Sequence, residues 1–153
     1  MKMENIYNAP LAAAVLSWFI AQLIKVLTNI FKNGKVSLSR FWGAGGMPSS
    51  HSAAVCALAA GLGVSEGPDS PVFALAFILA FIVMYDASGV RRAAGIHAKE
   101  INNIKDAISD IIMKRNVEEK KQYLKEWLGH SPFEVFIGAI FGMGMGILFT
   151  IYN

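Results

Sequence analysis

Three long apolar runs decide what this chain can become. The first extends from Ala9 to about Phe31 and is broken only by Ser17, Gln22, Lys25, Thr28 and Asn29. The second, Val72 to Tyr85, is continuous, and the third covers Phe133 to Tyr152. A helix needs roughly 20 apolar residues to cross the hydrocarbon of a bilayer. A fourth run, His51 to about Gly63, is too short to span comfortably and consists largely of Ala and Gly. Small residues allow helices to approach closely in a membrane. We therefore expect a short or partly re-entrant helix, packed inside the others so that protein buries its start. Composition agrees: 54% of the 153 residues are hydrophobic and only 16% are charged, against ~25% charged in an average soluble domain. The expected fold is an all-α integral membrane bundle with about four membrane segments, forming one domain over residues 1–153. The first run is too long for a signal-peptide core and has no Ala-x-Ala site behind it, so we read it as retained. With Cys56 as the single cysteine, no intrachain disulfide can form.

The remaining sequence is polar, and its charge is unevenly placed. Lys99 to Leu128 carries charges on most turns, with Ile101, Ile104, Ile108, Ile111 and Ile112 at helical spacing. This predicts an amphipathic helical segment on the membrane surface or capping the bundle. Lys32 to Arg40 is basic and contains no acid, whereas the turn at Glu66 and Asp69 carries only acids. The positive-inside rule then puts both basic regions and the amphipathic segment in the cytoplasm, with both termini outside. Pro48–His51, Arg91 and Arg92, and Gly129–Glu134 consequently share one membrane face. Within the first span, Gln22 and Lys25 lie on one helical face. Lys25 either snorkels to the interface or points a cation into the protein.

Gly45-Gly46-Met47-Pro48-Ser49-Ser50-His51-Ser52 joins the basic loop to the small-residue run. Pro48 suits a helix start, and Ser49 and Ser50 can cap it. A helix N-terminus with free N–H groups, two hydroxyls and an imidazole can hold a phosphate and supply a proton. Gly129-His130-Ser131-Pro132-Phe133-Glu134 opens the last span. One helical turn separates His130 from Glu134, so a carboxylate can orient the imidazole and leave the other nitrogen nucleophilic. Gly138, Gly142 and Gly146 form a small-residue stripe on this span, suited to close packing in the bundle or between subunits. A homodimer or larger assembly is expected from that stripe and from the thinness of the bundle.

These motifs resemble a known family. Pro48-Ser49-Ser50-His51 is similar to the Pro-Ser-Gly-His motif of the type 2 phosphatidic acid phosphatases. His130-x-x-x-Glu134-Val135-x-x-Gly138 is similar to their His-x-x-x-Asp-Val-x-x-Gly. The nearest pattern is the divergent branch described as acid phosphatase/vanadium-dependent haloperoxidase-related. That branch carries Gly-Gly-Met-Pro-Ser-Ser-His-Ser-Ala, Asp-x-x-Gly-Val-Arg-Arg and Leu-Gly-His-x-Pro-x-Glu-Val, and all three occur here.

The resemblance implies a membrane phosphatase that hydrolyses a lipid phosphate monoester or pyrophosphate through a phosphohistidine, without metal or cofactor. His130 would be the nucleophile, Glu134 its orienting acid and His51 the general acid. Ser49, Ser50 and Arg91 or Arg92 would bind phosphate. The family's first motif has no intact counterpart, and Lys25, Lys35 and Arg40 are the candidates for its place. His97, at the family spacing from Arg91, is the alternative nucleophile. The expected partners are a lipid phosphate and membrane lipids, with no nucleic acid. The expected location is a bacterial plasma membrane, with the site at the cytoplasmic face. The alternative function is a non-catalytic membrane protein that binds or moves an anionic lipid.

Overall fold

A computed structural model of the protein describes residues 8–33, 46–113, 123–124 and 129–153. Five helices account for nearly all of it: α1 (Ala9–Asn33), α2 (Ser50–Ser65), α3 (Pro71–Ser88), α4 (Val90–Met113) and α5 (Pro132–Tyr152). Most starts follow from local chemistry. The Asn8 side chain accepts from the Leu11 N–H at 2.9 Å. Ser70 caps α3 through the Phe73 N–H, with Pro71 in the first turn. Ser131 caps α5, with Pro132 in the first turn. Each side chain accepts from a backbone donor that has no intrahelical partner.

The short helix is the centre of the molecule. α2 packs against α5, α1 and α3. Its contact with α5 is backbone to backbone. A Cβ added at Gly138 would collide with the backbone of Ser49, one at Gly142 with Ala53, and one at Gly146 with Ala57. Both rows advance four residues at a time, so ridges along the two helices run side by side. Gly144, by contrast, would meet nothing within 4 Å. The Gly138–Gly146 stripe is thus filled by α2 of the same chain, and the expected oligomer loses that support.

Helix α1 turns Ala13, Ala14, Ser17, Ala21, Gln22, Lys25 and Asn29 inward. Helix α3 buries only Ala76, Ala80 and Ala87, and exposes Leu75, Phe77, Ile78, Phe81 and Ile82. The core therefore consists of small residues, and the large apolar side chains face outward. That inversion of a water-soluble core fits a bundle held by close packing and surrounded by lipid. α1, α3 running on into α4, and α5 are each long and apolar enough to cross a bilayer.

The amphipathic segment begins earlier than its charge pattern implies. Gly89 ends α3, and α4 restarts at once with Val90, so Arg91 and Arg92 stand in its first turn. Gly95, Ala98 and Asn102 are buried, while Ile96, Ile101, Ile104 and Ile108 are exposed. Asn102 donates to the Leu124 carbonyl and accepts from the Leu124 N–H, both at 2.9 Å. These bonds tie α4 to the segment that leads toward His130.

Candidate active site

Four parts of the chain meet at one end of the bundle. The start of α2 is the first. Ser49 is its N-cap, accepting from the Ser52 N–H at 3.4 Å and the Ser52 hydroxyl at 2.9 Å. Ser49, Ser50 and Ser52 are fully buried. His51 follows in the first turn and is exposed. Gly46 precedes this start at φ +91°, a conformation that strains any residue with a Cβ. α1 supplies the second part. Lys25 is only 5% exposed, and its Nζ donates to the Ser50 Oγ at 3.1 Å. Of the two placements its sequence position allowed, the structure takes the interior one.

The third part is the loop before α5. The Ser49 N–H donates to the Glu134 carbonyl at 3.1 Å, which fixes the two motif segments to each other. The His130 N–H donates to the Ala87 carbonyl at 3.0 Å. Gly129, at φ +93°, packs so tightly that a Cβ there would collide with the backbone of Arg91 and Arg92. Only glycine combines that conformation with that approach. The junction of α3 and α4 is therefore the fourth part. Arg91 stands there, and its Nε donates to the Asp86 Oδ2 at 2.6 Å.

His130 lies in the middle of this arrangement. It is 3% exposed, and among the described residues neither ring nitrogen has a hydrogen-bond partner. A buried imidazole with both nitrogens unbonded is costly. Burial pushes its pKa down to about 4, helped by the charges of Lys25, His51 and Arg91. The imidazole is neutral at physiological pH and keeps a lone pair for attack. Lys25 and Arg91 place positive charge around it, and His51, its pKa held below the ordinary value by burial and by those two cations, stays neutral there. The N-terminus of α2 adds the positive end of a helix dipole. The arrangement can receive an anion and present a nucleophile to it.

One expected contact is not made. Glu134 does not reach back to the His130 imidazole. Its Oε2 accepts from the Ser131 N–H at 2.9 Å, and the Ser131 Oγ accepts from the Glu134 N–H at 3.3 Å. This reciprocal pair is a capping box. The reason is where the helix starts. α5 begins at Pro132, so His130 lies before it. The rule that residues four apart share a face applies only within a helix.

The other candidates divide clearly. Arg92 is exposed, and it is its backbone that supports Gly129. His97 is exposed further along α4. Lys35 and Arg40 lie outside the described residues. Asp86 opens the Asp-x-x-Gly-Val-Arg-Arg motif, but the motif by itself assigns it no role. The signal was an acid in the last turn of α3, where the negative end of the dipole disfavours it, with a cation five residues on.

Helices of this length and apolarity, packed through small residues and meeting around buried polar groups at one end, define an integral membrane protein. The divergent PAP2 family matches residues 6–145, and the chain belongs to that family. It is 42% identical over 147 residues to the uncharacterized membrane protein YuiD of Bacillus subtilis (strain 168), a match covering 92% of this chain and 93% of that protein. No solved structure matches it.

Proposed function

We propose that the protein is a membrane phosphatase acting on a lipid phosphate monoester or pyrophosphate through a phosphohistidine, without a metal ion. The observation that carries this reading is His130. It is buried, without a hydrogen-bond partner at either ring nitrogen among the described residues, and under the influence of Lys25, His51 and Arg91. In the reaction, one His130 nitrogen attacks phosphorus and the phosphorus–oxygen bond to the leaving group breaks. A phosphate bound at the site offsets the charges of Lys25 and Arg91 that hold His51 neutral, so His51 takes up a proton with the substrate and gives it to the departing oxygen. Water then attacks the phosphohistidine, His51 takes the water's proton, and inorganic phosphate leaves with His130 restored. Lys25, Ser50 and Arg91 hold the equatorial oxygens and offset the charge that develops on them. The Ser49 oxygen accepts both bonds of the α2 cap, and its own O–H is left to donate to a phosphate oxygen.

A lipid substrate is supported by the surroundings of the site. Met47, Tyr85, Val90 and Phe133 are exposed apolar side chains close in sequence to its polar groups. A headgroup can enter while its acyl or prenyl chain stays in lipid. The basic regions favour an anionic headgroup and, by the positive-inside rule, the cytoplasmic face of a bacterial plasma membrane.

A second reading has one observation in its favour. Glu134 serves the α5 cap, so among the described residues no carboxylate is bonded to His130. A protein that only binds or moves an anionic lipid needs the cations and not an oriented imidazole. Purified protein, incubated with phosphatidic acid, phosphatidylglycerol phosphate and polyprenyl diphosphate in EDTA, separates the two. Phosphate released from at least one of them supports the phosphatase. Release from none, together with transfer of the same lipids between vesicles, supports the carrier.

A further inference from the structure

The turn between α3 and α4 holds an ion pair whose acid, Asp86, has no part in the proposed reaction. Asp86 sits in the last turn of α3, where a carboxylate faces the negative end of the helix dipole. That position is unfavourable unless something offsets it. Arg91 does so: its Nε donates to the Asp86 Oδ2 at 2.6 Å, across the break at Gly89. Both side chains are partly exposed, so the pair contributes little to stability. Its consequence is geometric. A guanidinium has five donors in a rigid plane. Holding the Nε edge against a carboxylate leaves the two terminal nitrogens for another acceptor and fixes the plane in which they lie. The backbone beside Arg91 is the surface on which Gly129 packs, and His130 is the next residue.

We propose that Asp86 is a positioning residue, which orients Arg91 so that its terminal nitrogens meet a phosphate brought to His130. This rests on the anion-site reading above. It also separates Arg91 from Arg92. Arg91 is the phosphate clamp because it has an acid to hold it, whereas Arg92 contributes backbone on which Gly129 rests. The proposal makes a prediction of sign. A carboxylate beside a phosphate site that merely repels anions weakens their binding, so removing it tightens binding. A carboxylate that aims the clamp strengthens binding, so removing it weakens binding.

The test uses full-length protein in dodecylmaltoside and inorganic phosphate as the probe, titrated by calorimetry. Asp86→Ala should weaken phosphate binding about threefold to fivefold, the range expected when one exposed pair loses its geometry. Asp86→Asn, which keeps an acceptor oxygen, should recover part of that loss. Arg91→Ala should weaken binding on the order of tenfold or more, as loss of a charge-assisted hydrogen bond does. Adding Asp86→Ala to Arg91→Ala should then change nothing further, since a residue acting through Arg91 cannot act without it. A general structural role would instead give losses that add. Unchanged or tighter binding by Asp86→Ala overturns the positioning role and leaves the phosphate site standing. Absence of phosphate binding in the unaltered protein overturns both.

Discussion

Helices α2 and α3 are both apolar and both lack a polar face, yet they do opposite jobs. α2 is rich in Ala, Gly and Ser, and its buried residues are small. α3 carries Phe, Leu and Ile, and it buries only Ala76, Ala80 and Ala87. The difference is side-chain size. Small residues let α2 lie with its backbone on the glycines of α5, and that approach carries Ser49 to the Glu134 carbonyl. Large residues keep α3 at the edge, where lipid covers them. A membrane protein places its site by what it leaves out of a helix as much as by what it puts in.

The sharpest way to break this contrast is to fill the seam. Gly142→Leu should overpack the α2–α5 contact and cost more than about 3 kcal/mol. It should sharply lower the yield of folded protein in detergent. Gly144→Leu, on the same helix but facing open space, should shift the unfolding temperature by no more than an ordinary surface change, roughly 0.5 kcal/mol. Equal effects at the two positions would mean that the seam is not what holds α2.

An acid titration probes the next largest effect. An unfolded His130 takes a proton below pH about 6.5, whereas burial and neighbouring cations hold the folded imidazole neutral down to about 4. Between those values the unfolded chain binds more protons. Stability that is full above 6.5 is therefore lost as pH falls toward 4, by an amount on the order of 3 kcal/mol. Thermal unfolding in detergent at a series of pH values should show that slope, and His130→Asn should flatten it. An unchanged slope in the variant would place His130 in a wetter setting than its burial indicates.

The cap of α5 comes third. Ser131→Ala should cost about 1 kcal/mol, as loss of an N-cap hydroxyl does. Glu134→Gln should cost almost nothing in stability, because Gln also closes a capping box. It should change turnover by less than about tenfold, since the carboxylate is bonded to Ser131 and not to His130. A hundredfold fall in kcat at unchanged stability would restore the orienting role to Glu134. The smallest effect is expected on α3. Leu75→Ala and Phe81→Ala remove lipid-facing side chains and should each change stability by roughly 0.5 kcal/mol or less.

Much of this architecture is legible in the residues. Apolar run length predicts the long helices, and the shortness and small residues of the fourth run predict its place inside the bundle. The charge asymmetry groups Pro48–His51, Arg91 and Gly129–Glu134 at one face, and the structure brings those segments into contact. Details set by a single helix boundary are not legible. The separation of four between His130 and Glu134 suggests a shared face, but Pro132 starts the helix too late. Small-residue spacing states that something will approach closely without naming it, so the glycine stripe fits α2 and a second subunit equally well. Arg91 and Arg92 look equivalent in sequence. Only the turn at Gly89, which brings one of them back to Asp86, tells them apart.

The central claim is that His130 carries the phosphoryl group, and trapping that group tests it most directly. Protein in EDTA is mixed with a lipid phosphate labelled in its phosphoryl group, quenched within the first turnover, and assayed for phosphate bound to the chain in an acid-labile form. The account predicts such a phosphoenzyme in the unaltered protein and none in His130→Ala. His51→Ala should still form it from a substrate with a good leaving group, which needs no general acid. Full turnover by His130→Ala would contradict the account, and loss of the phosphoenzyme only in His97→Ala would move the nucleophile to α4.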